Sequence, residues 1–232
     1  MSTRPTDDDR PRRRYDNSRR AAAARRTRRR IVDAAATCFA ETGFDATSIR
    51  AIAERAGTSP ETIYAAFGTK VGVLQAWIDQ AVTGDDDEIP LREREAFTAL
   101  AAPDDVDGAL RQFVRSGRKI NERVAVPIQV ARAAAPSSPE LAGLLAENER
   151  RRHHDFAAAV EHLTRETQIP GGLSVERAAQ LVAALGSVDL YRSLVLEAGW
   201  TSTEYDDHLV RLIAVVLGLG PSPGRRSRSR PR

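Results

Sequence analysis

The stretch from Thr47 to Lys70, TSIRAIAERAGTSPETIYAAFGTK, constrains the fold more than any other, because it contains the pattern of two short helices joined by a tight turn. Apolar residues recur there at the i, i+3, i+4 and i+7 positions that form one helix face: Ile49, Ile52, Ala53 and Ala56. Thr47 precedes this pattern and is predicted to cap the helix through its hydroxyl. Gly57 follows the pattern and is predicted to end the helix in a left-handed conformation.

A second helix start comes directly after this turn. Ser59 offers a hydroxyl cap, Pro60 lacks an N–H that the first turn does not need, and Glu61 is an acid that the helix dipole favours. A helix, a turn of three or four residues and a second short helix form the helix-turn-helix arrangement, whose second helix enters the major groove of DNA. The sequence therefore predicts a DNA-binding unit with its second helix beginning at about Pro60.

The segment GTSPETIYAAFGTK, from Gly57 to Lys70, resembles the DNA-binding signature of the TetR family of bacterial transcriptional repressors. Its hallmarks are the Thr-Ile-Tyr triplet at residues 62–64, the aromatic Phe67 three residues later, and Lys70 three residues after that. The resemblance implies an N-terminal helix-turn-helix domain and a C-terminal helical domain that dimerises and binds a small molecule.

The spacing within the second helix predicts which side chains face DNA. Ile63 and Phe67 lie four residues apart and are predicted to face the core, which leaves the residues between them turned outward. The Tyr64 hydroxyl can reach a phosphate, and Lys70 is predicted to bind a phosphate beside the N-terminus of the following helix. Ala65 stands where many relatives have a larger residue, so contact with a thymine methyl group is the base contact that remains there.

Two residues at the start of the first short helix complete the predicted interface. The resemblance implies that Ser48 touches a phosphate and that Arg50 touches a base. Arg50 is the best candidate for bidentate recognition of a guanine, and the alternative is a solvated charge in the first helical turn. The predicted DNA-binding residues are Ser48, Arg50, Thr58, Ser59, Pro60, Glu61, Thr62, Tyr64, Ala65 and Lys70.

Basic residues concentrate at the two ends of the chain. Residues 1–30 carry 12 arginines against 4 acidic residues and residues 225–232 carry 5 arginines, although the net charge of the whole chain is only +3. Residues 1–24 and 221–232 lack helical periodicity and are predicted to be disordered. The N-terminal arm could lie along phosphates or enter a minor groove, or it could be a solvated tail.

Composition narrows the class of protein. A hydrophobic fraction of 41% in 232 residues is enough for a real core. The single cysteine, Cys38, falls on an apolar helix face, so it is predicted to be buried, and a lone cysteine fits a reduced cytoplasm. No apolar run approaches the 18 or so residues that a membrane span needs. We therefore expect a cytoplasmic protein without a membrane partner.

The remaining chain continues the helical pattern, which predicts an all-α fold. Residues 25–83 are predicted to form the DNA-binding domain with a linking helix that starts at Lys70, and residues 84–220 to form the effector-binding and dimerisation domain, with Gly84 and the acids after it at the boundary. Helical patterning covers residues 91–102, 106–135, 139–167, 174–198 and 202–219, and no period of two occurs. Pro127 is predicted to kink the second of these helices.

The last two helices are the most apolar. They offer more hydrophobic surface than one small subdomain buries by itself, and in TetR-like proteins the final two helices pair with their copies in a second subunit. The predicted homodimer interface consists of Val182, Leu185, Leu209, Ile213 and Val216.

No catalytic constellation emerges from the sequence. It has no phosphate-binding Gly-rich loop, no nucleophile elbow and no cysteine pair. His153, His154 and Asp155 are consecutive and splay apart on a helix, so they do not predict a metal site. We expect no enzymatic activity, no metal and no cofactor. Large or polar residues near the kinked, linking and dimer helices are predicted to line the effector site: Trp77, Phe113, Arg115, Gln129 and Tyr191.

These observations predict a ligand-responsive regulator of transcription. The main hypothesis is a homodimeric repressor that binds a palindromic operator in double-stranded DNA and is released by a small-molecule effector. The alternative is a constitutive architectural DNA-binding protein that uses its arginine-rich ends without a ligand. A ligand-sized apolar cavity favours the first, and salt-sensitive but sequence-indifferent binding favours the second.

Overall fold

The computed structural model of this chain describes residues 10–84, 105–165 and 167–219, with side chains from residue 19 onward. All regular elements in these ranges are helices, so the all-α prediction is confirmed for the part of the chain that is described. The contacts divide the chain into two compact units, with the division between Trp77 and Ile78, earlier than the predicted boundary at Gly84. The predicted helix at 91–102 and the predicted disordered segments at residues 1–9 and 221–232 lie outside the described residues.

The first unit contains helices α1 (Arg10–Ala46), α2 (Ile49–Ala56) and α3 (Pro60–Phe67) and the start of α4 (Lys70–Thr83). Helix α1 begins earlier than predicted, and residues 10–24 are helical although a disordered arm was expected there. Arginine and alanine, which fill this segment, are among the best helix formers, so they extend the helix without an apolar face. The helical conformation breaks at Gly43, whose φ of 79° suits a glycine.

Apolar side chains from all four helices form the core of the first unit. Ile31, Ala35 and Phe39 of α1 are fully buried, as are Ile52 of α2, Ile63 of α3 and Leu74 of α4. The Phe39 ring stacks on the rings of Phe44 and Trp77, with centroids 5.6 and 6.3 Å away. Cys38 is buried in the same core as a free thiol, as predicted.

Thr47 does not cap α2, which corrects the sequence-based prediction. Ser48 is the cap, and its hydroxyl oxygen accepts a hydrogen bond from the Ala51 N–H at 3.1 Å. Thr47 is only 3% exposed, and its hydroxyl lies 2.7 Å from the carbonyl oxygen of Gly43. The pattern could not separate these two neighbouring hydroxyl residues, because which one caps depends on where Gly43 turns the chain.

In the described residues, the second unit contains the rest of α4 and five further α-helices. These are α5 (Val106–Ala134), α6 (Pro139–Leu163), α7 (Val175–Leu185), the short α8 (Val188–Tyr191), which continues as a π-helical turn (Arg192–Glu197), and α9 (Ser202–Leu217). Helix α5 runs through Pro127 without ending there. Helices α5, α6, α7 and α9 contribute most of the buried residues of this unit.

The predicted helix at 174–198 is two helices with a corner between them. Helix α7 ends at Leu185, and the hydroxyl of Ser187 caps α8 by accepting from the Leu190 N–H. The Asn121 side chain donates to the Gly186 carbonyl at 3.1 Å, which fastens the corner to α5. An added Cβ at Gly186 would stand 3.0 Å from the Phe156 ring, so the corner also needs a residue without a side chain.

One stretch, Val175–Glu197, is long and apolar enough to cross a membrane by length and composition alone, which the sequence analysis did not anticipate. The corner at Gly186 divides this stretch, and Ala178, Ala179 and Val182 within it are buried in the core of the second unit. Packing within the chain therefore accounts for part of its apolar character, since 22% of its most apolar window is buried.

Candidate nucleic-acid interface and internal cavity

Helix α3 presents a polar and small-residue face to solvent. Ser59 caps it by accepting from the Thr62 N–H, and Pro60 occupies the first turn, as predicted. Ile63 is fully buried, whereas Tyr64 is 53% exposed and Ala65 is also exposed. The N-terminal half of α3 is therefore accessible to a binding partner.

The acid in the first turn of α3 completes this helix start. The Ser59 hydroxyl and the backbone N–H of Glu61 both hydrogen-bond the Glu61 carboxylate and lower its pKa. Of the ten predicted DNA-binding residues, six are exposed (Ser48, Arg50, Ser59, Glu61, Tyr64 and Ala65) and four are half-buried (Thr58, Pro60, Thr62 and Lys70).

Arg50 projects from the first turn of α2. Its side chain is 83% exposed, and its Nε lies 2.9 Å from a carboxylate oxygen of Glu54, one helical turn away. An exposed pair of this kind contributes only about 0.3–0.5 kcal/mol, so a stronger partner can displace Glu54. The neighbouring Ser48 hydroxyl accepts the capping hydrogen bond through its oxygen, and its O–H can still donate to an acceptor such as a phosphate.

Lys70 has structural partners that the sequence did not reveal. Its ammonium donates to the carbonyl oxygens of Phe44 at 2.7 Å and Thr47 at 2.9 Å, and it lies 4.2 Å above the Phe44 ring. Burial lowers the pKa of Lys70, and the charge of Asp45 partly offsets this. The third N–H of the ammonium donates to the Asp45 carbonyl at 3.4 Å, the longest of the three bonds, so a phosphate at Lys70 would replace that bond.

Two arginines of α1 hold the ends of the short helices in place. Arg28 donates to the Ala66 carbonyl at 2.9 Å and lies 4.3 Å above the Phe67 ring. Arg30 donates to the Ala56 carbonyl at 2.8 Å. Both side chains therefore satisfy carbonyl groups at helix C-termini, where a cation is favoured. Sequence reasoning missed these roles, because the two residues stand in a run of arginines with nothing local to distinguish them.

The second unit encloses a cavity of about 1240 Å³, and all of its lining residues belong to this unit. The wall is largely apolar, with Phe113 and Val124 from α5, Phe156 from α6, and Leu209 and Ile213 from α9. The last turns of α4 complete the wall through Ile78 and Val82, together with two polar neighbours, Asp79 and Thr83.

Of the five residues predicted to line an effector site, Phe113 lines this cavity and the other four do not. Trp77 belongs to the first unit, where it stacks on Phe39. Tyr191 packs edge-on against the Tyr205 ring at 5.7 Å, and it is Tyr205 that reaches the cavity. Arg115 and Gln129 lie on the exposed face of α5. The sequence identified α5 but not which of its faces lines the cavity.

Polar side chains occupy a minor part of the cavity wall. Arg118 is 11% exposed and pairs with Asp206 at 2.9 Å and with Glu122. The hydrogen bonds and charges of these two acids outweigh burial and raise the pKa of Arg118. Burial raises the pKa of the Tyr205 hydroxyl to about 12, with a smaller opposing contribution from the Asn121 side chain.

The predicted dimer residues are mostly committed to the core of their own chain. Val182, Leu209 and Ile213 are at most 5% exposed, which corrects their assignment to an interface, and Leu185 and Val216 are half-buried. The exposed apolar side chains on the same two helices lie one to three positions away: Leu181 on α7 at 46%, and Leu212 and Val215 on α9 at 50% and 75%. The apolar pattern in the sequence identified α7 and α9, but the residues of that pattern form the faces that pack inside the chain.

Within the described residues, no group of three or more His, Cys, Asp or Glu side chains is placed to hold a metal ion. His153 is exposed and pairs with Glu149 at 3.2 Å, and His154 lies at the cavity.

Comparison with known proteins identifies the first unit. Residues 31–77 match the model of a family described as bacterial regulatory proteins, tetR family. This segment contains α2, α3 and all ten predicted DNA-binding residues. A search of curated protein sequences finds no match.

The fold recurs in solved structures at low sequence identity. A Mesorhizobium loti MAFF303099 protein assigned to the TetR family of transcriptional regulators superposes with a TM-score of 0.65 at 22% identity, covering 84% of this chain and 96% of that one. GusR of Salmonella enterica gives 0.62 at 21%, with coverages of 83% and 95%. NalD of Pseudomonas aeruginosa, the secondary repressor of the MexAB-OprM multidrug efflux pump, gives 0.57 at 19%, with coverages of 81% and 93%.

The family match covers the helix-turn-helix unit, and the structural likeness extends over both units of the chain. The exposed helix α3, which Arg28 of α1 ties down, lies within the matched segment. Residues 31–77 therefore match the tetR family of bacterial regulatory proteins, and the chain shares the fold of solved TetR-family regulators.

Proposed function

We propose that this regulator is a homodimeric repressor that binds a palindromic operator and is released by a small molecule held in the cavity of the second unit. The observation that carries the proposal is the cavity, because its wall includes Ile78 and Val82 of α4, the helix that begins at Lys70 in the DNA-binding unit. A ligand that favours one placement of α4 changes the conformation available to α2 and α3, the helices that face DNA.

On the DNA side, α3 enters the major groove and the start of α2 lies beside it. Arg50 leaves Glu54 to bind a guanine, Tyr64 binds a phosphate through its hydroxyl, and Lys70 exchanges its 3.4 Å bond to the Asp45 carbonyl for another phosphate. With alanine at 65 and 66, α3 itself has few side chains that reach bases, so the start of α2 supplies a large share of the base specificity.

The dimer forms through the exposed apolar side chains of α7 and α9. Leu181, Leu212 and Val215 leave apolar surface in contact with water in a single chain, and a two-fold copy of the same surface would cover it. A symmetric dimer presents two α3 helices about 34 Å, or a multiple of it, apart, so the operator is an inverted repeat with a fixed centre.

The alternative is a constitutive architectural DNA-binding protein. The cavity favours a ligand-controlled repressor over it, because a purely architectural role gives no reason for an apolar space of this size. The proposal includes a cytoplasmic location, no cofactor and no catalytic activity, in keeping with the regulators that share the fold.

The proposal is tested by recovering the DNA that copurifies with the protein, sequencing it and footprinting the enriched sites. A protected inverted repeat, bound by a dimer and freed by a compound that also raises the melting temperature of the protein, supports the proposal. Binding that depends on salt but is the same on all sequences would favour the architectural alternative.

A further inference from the structure

We infer that the effector is an uncharged, largely apolar molecule whose polar groups are hydrogen-bond acceptors, such as the carbonyl oxygens of a ketone, ester or lactone. This inference rests on the proposed ligand response and specifies the chemistry of that ligand. Its basis is that two buried side-chain polar atoms of the described chain lack a hydrogen-bond partner, and both line the cavity: the Tyr205 hydroxyl and Nδ2 of Asn148.

The first of these groups is the phenol of Tyr205 in α9. This residue is only 1% exposed, and a buried hydroxyl without a partner is costly. The amide nitrogen of the nearby Asn121 is engaged elsewhere, because it donates to the carbonyls of Gly186 and Ser187. With its pKa raised to about 12 by burial, the Tyr205 phenol stays protonated and remains a donor throughout the physiological pH range.

The second group is the amide of Asn148 in α6. Its oxygen accepts a hydrogen bond from Arg151, so that end of the amide is occupied. The amide nitrogen is left as a neutral donor at the cavity. Two neutral donors are best satisfied by acceptor oxygens, because a ligand that offers only N–H groups leaves both unpaired.

The charges around the cavity disfavour an ionic ligand, because they already have partners. The lining contains five arginines and five acids. Ion pairs within the wall join Arg132 to Asp189, Arg150 to Glu147 and Arg152 to Glu149. Arg118 pairs with Asp206 and Glu122, two acids that do not line the cavity. The fifth arginine, Arg151, donates to the Asn148 side-chain oxygen, so an anion competes with an existing partner at every arginine of the wall. The remaining acids, Asp79 and Asp155, also have partners, so a cation meets the same competition.

The remaining wall fits an apolar skeleton. The rings of Phe113 and Phe156 meet edge to face at 5.4 Å, and Val124, Leu209 and Ile213 add aliphatic surface. The volume of about 1240 Å³ exceeds the roughly 300–1,000 Å³ of most small-molecule sites, so a drug-sized molecule fits without displacing the wall.

The test uses full-length protein without DNA and two sets of probes that share a skeleton. The naphthyl set is methyl naphthyl ketone, naphthoate, naphthylmethylammonium and ethylnaphthalene, and the decyl set is methyl octyl ketone, decanoate and decylammonium. Calorimetry or quenching of tryptophan fluorescence gives each dissociation constant. We expect the ketone of at least one set to bind about tenfold or more tightly than its charged partners.

Three variants connect this preference to the named atoms. Tyr205→Phe removes one hydroxyl and should weaken ketone binding about tenfold, equal to about 1.4 kcal/mol, while ethylnaphthalene binds as before. Asn148→Asp turns the donor into a charged acceptor and should weaken ketone binding as well. Thr164→Val is the control, since it removes a buried hydroxyl bonded to Val160 outside the cavity and should leave every affinity unchanged.

The stability of Tyr205→Phe separates a lost contact from a damaged fold. Its urea midpoint should equal or exceed that of the unaltered protein, because the hydroxyl has no partner to lose. The inference is overturned if a charged probe binds as well as its ketone, if no ketone binds, or if Tyr205→Phe keeps the ketone preference. None of these results affects operator binding, which is measured separately, so the proposed function stands or fails on its own assay.

Discussion

Replacing Lys70 by methionine tests whether this residue supports the fold as well as DNA binding. Methionine keeps an apolar stem but removes the charge and the donors, which leaves the Phe44 and Thr47 carbonyls without the ammonium. Hydrogen bonds from a charged donor contribute about 1.5–3 kcal/mol each when intact. Because Lys70 is only half-buried and ordering its side chain costs entropy, we expect the two bonds together to lose about 2 kcal/mol of unfolding free energy.

The measurement is urea unfolding followed by the fluorescence of Trp77, which belongs to the first unit, in a Trp200→Phe background that leaves it as the only tryptophan. The matched control is Arg50→Met, which removes an exposed pair and should cost under about 0.5 kcal/mol. DNA binding is then compared at equal folded fractions. A Lys70→Met protein that unfolds at the same urea concentration as the control would refute the structural role and leave Lys70 as a phosphate ligand alone.

Three further predictions address base reading, assembly and pH. Arg50→Ala should cost roughly 1–3 kcal/mol in operator binding and relax preference at one base position; unchanged preference on a panel of operator variants would contradict its role. Val215→Glu should yield a folded monomer by light scattering, with Val126→Glu, at an exposed valine on α5, staying dimeric as the control. Burial raises the pKa of Tyr205 in the folded protein above its unfolded value. The free energy of unfolding therefore keeps the full contribution of Tyr205 below pH ~10 and loses it as the pH rises to about 12. Tyr205→Phe should remove about 3 kcal/mol of that loss.

Helix ends were predictable from the sequence where the residues at the end itself supply the capping interactions. Gly57 ends α2 with a φ of 61°, and Ser59 caps α3 with Pro60 in the first turn. The capping interactions there join residues only three or four positions apart, so nothing distant is needed to specify them. The order and type of the described helices, and the helix-turn-helix unit among them, were predictable for the same reason.

The faces of the long helices were not predictable. An apolar repeat shows that α7 and α9 have a buried stripe, but it does not distinguish packing within the chain from packing against a copy, so Val182 and Leu209 were assigned to the wrong surface. The lining of the cavity was missed for a similar reason. Tyr205 becomes a cavity residue only where α5, α6 and α9 come together, and that approach is long-range.

The sequence by itself determined the helical class, the reading unit and the residues that begin and end α2 and α3, because these depend on hydrophobic periodicity and on capping between near neighbours. The tertiary structure alone decided that Lys70, Arg28 and Arg30 bind carbonyl groups of other helices, and that the Tyr205 hydroxyl is left unpaired. The contacts of Lys70, Arg28 and Arg30 join residues 23 to 38 positions apart. Whether a side chain finds a partner at such a distance depends on which helices pack together.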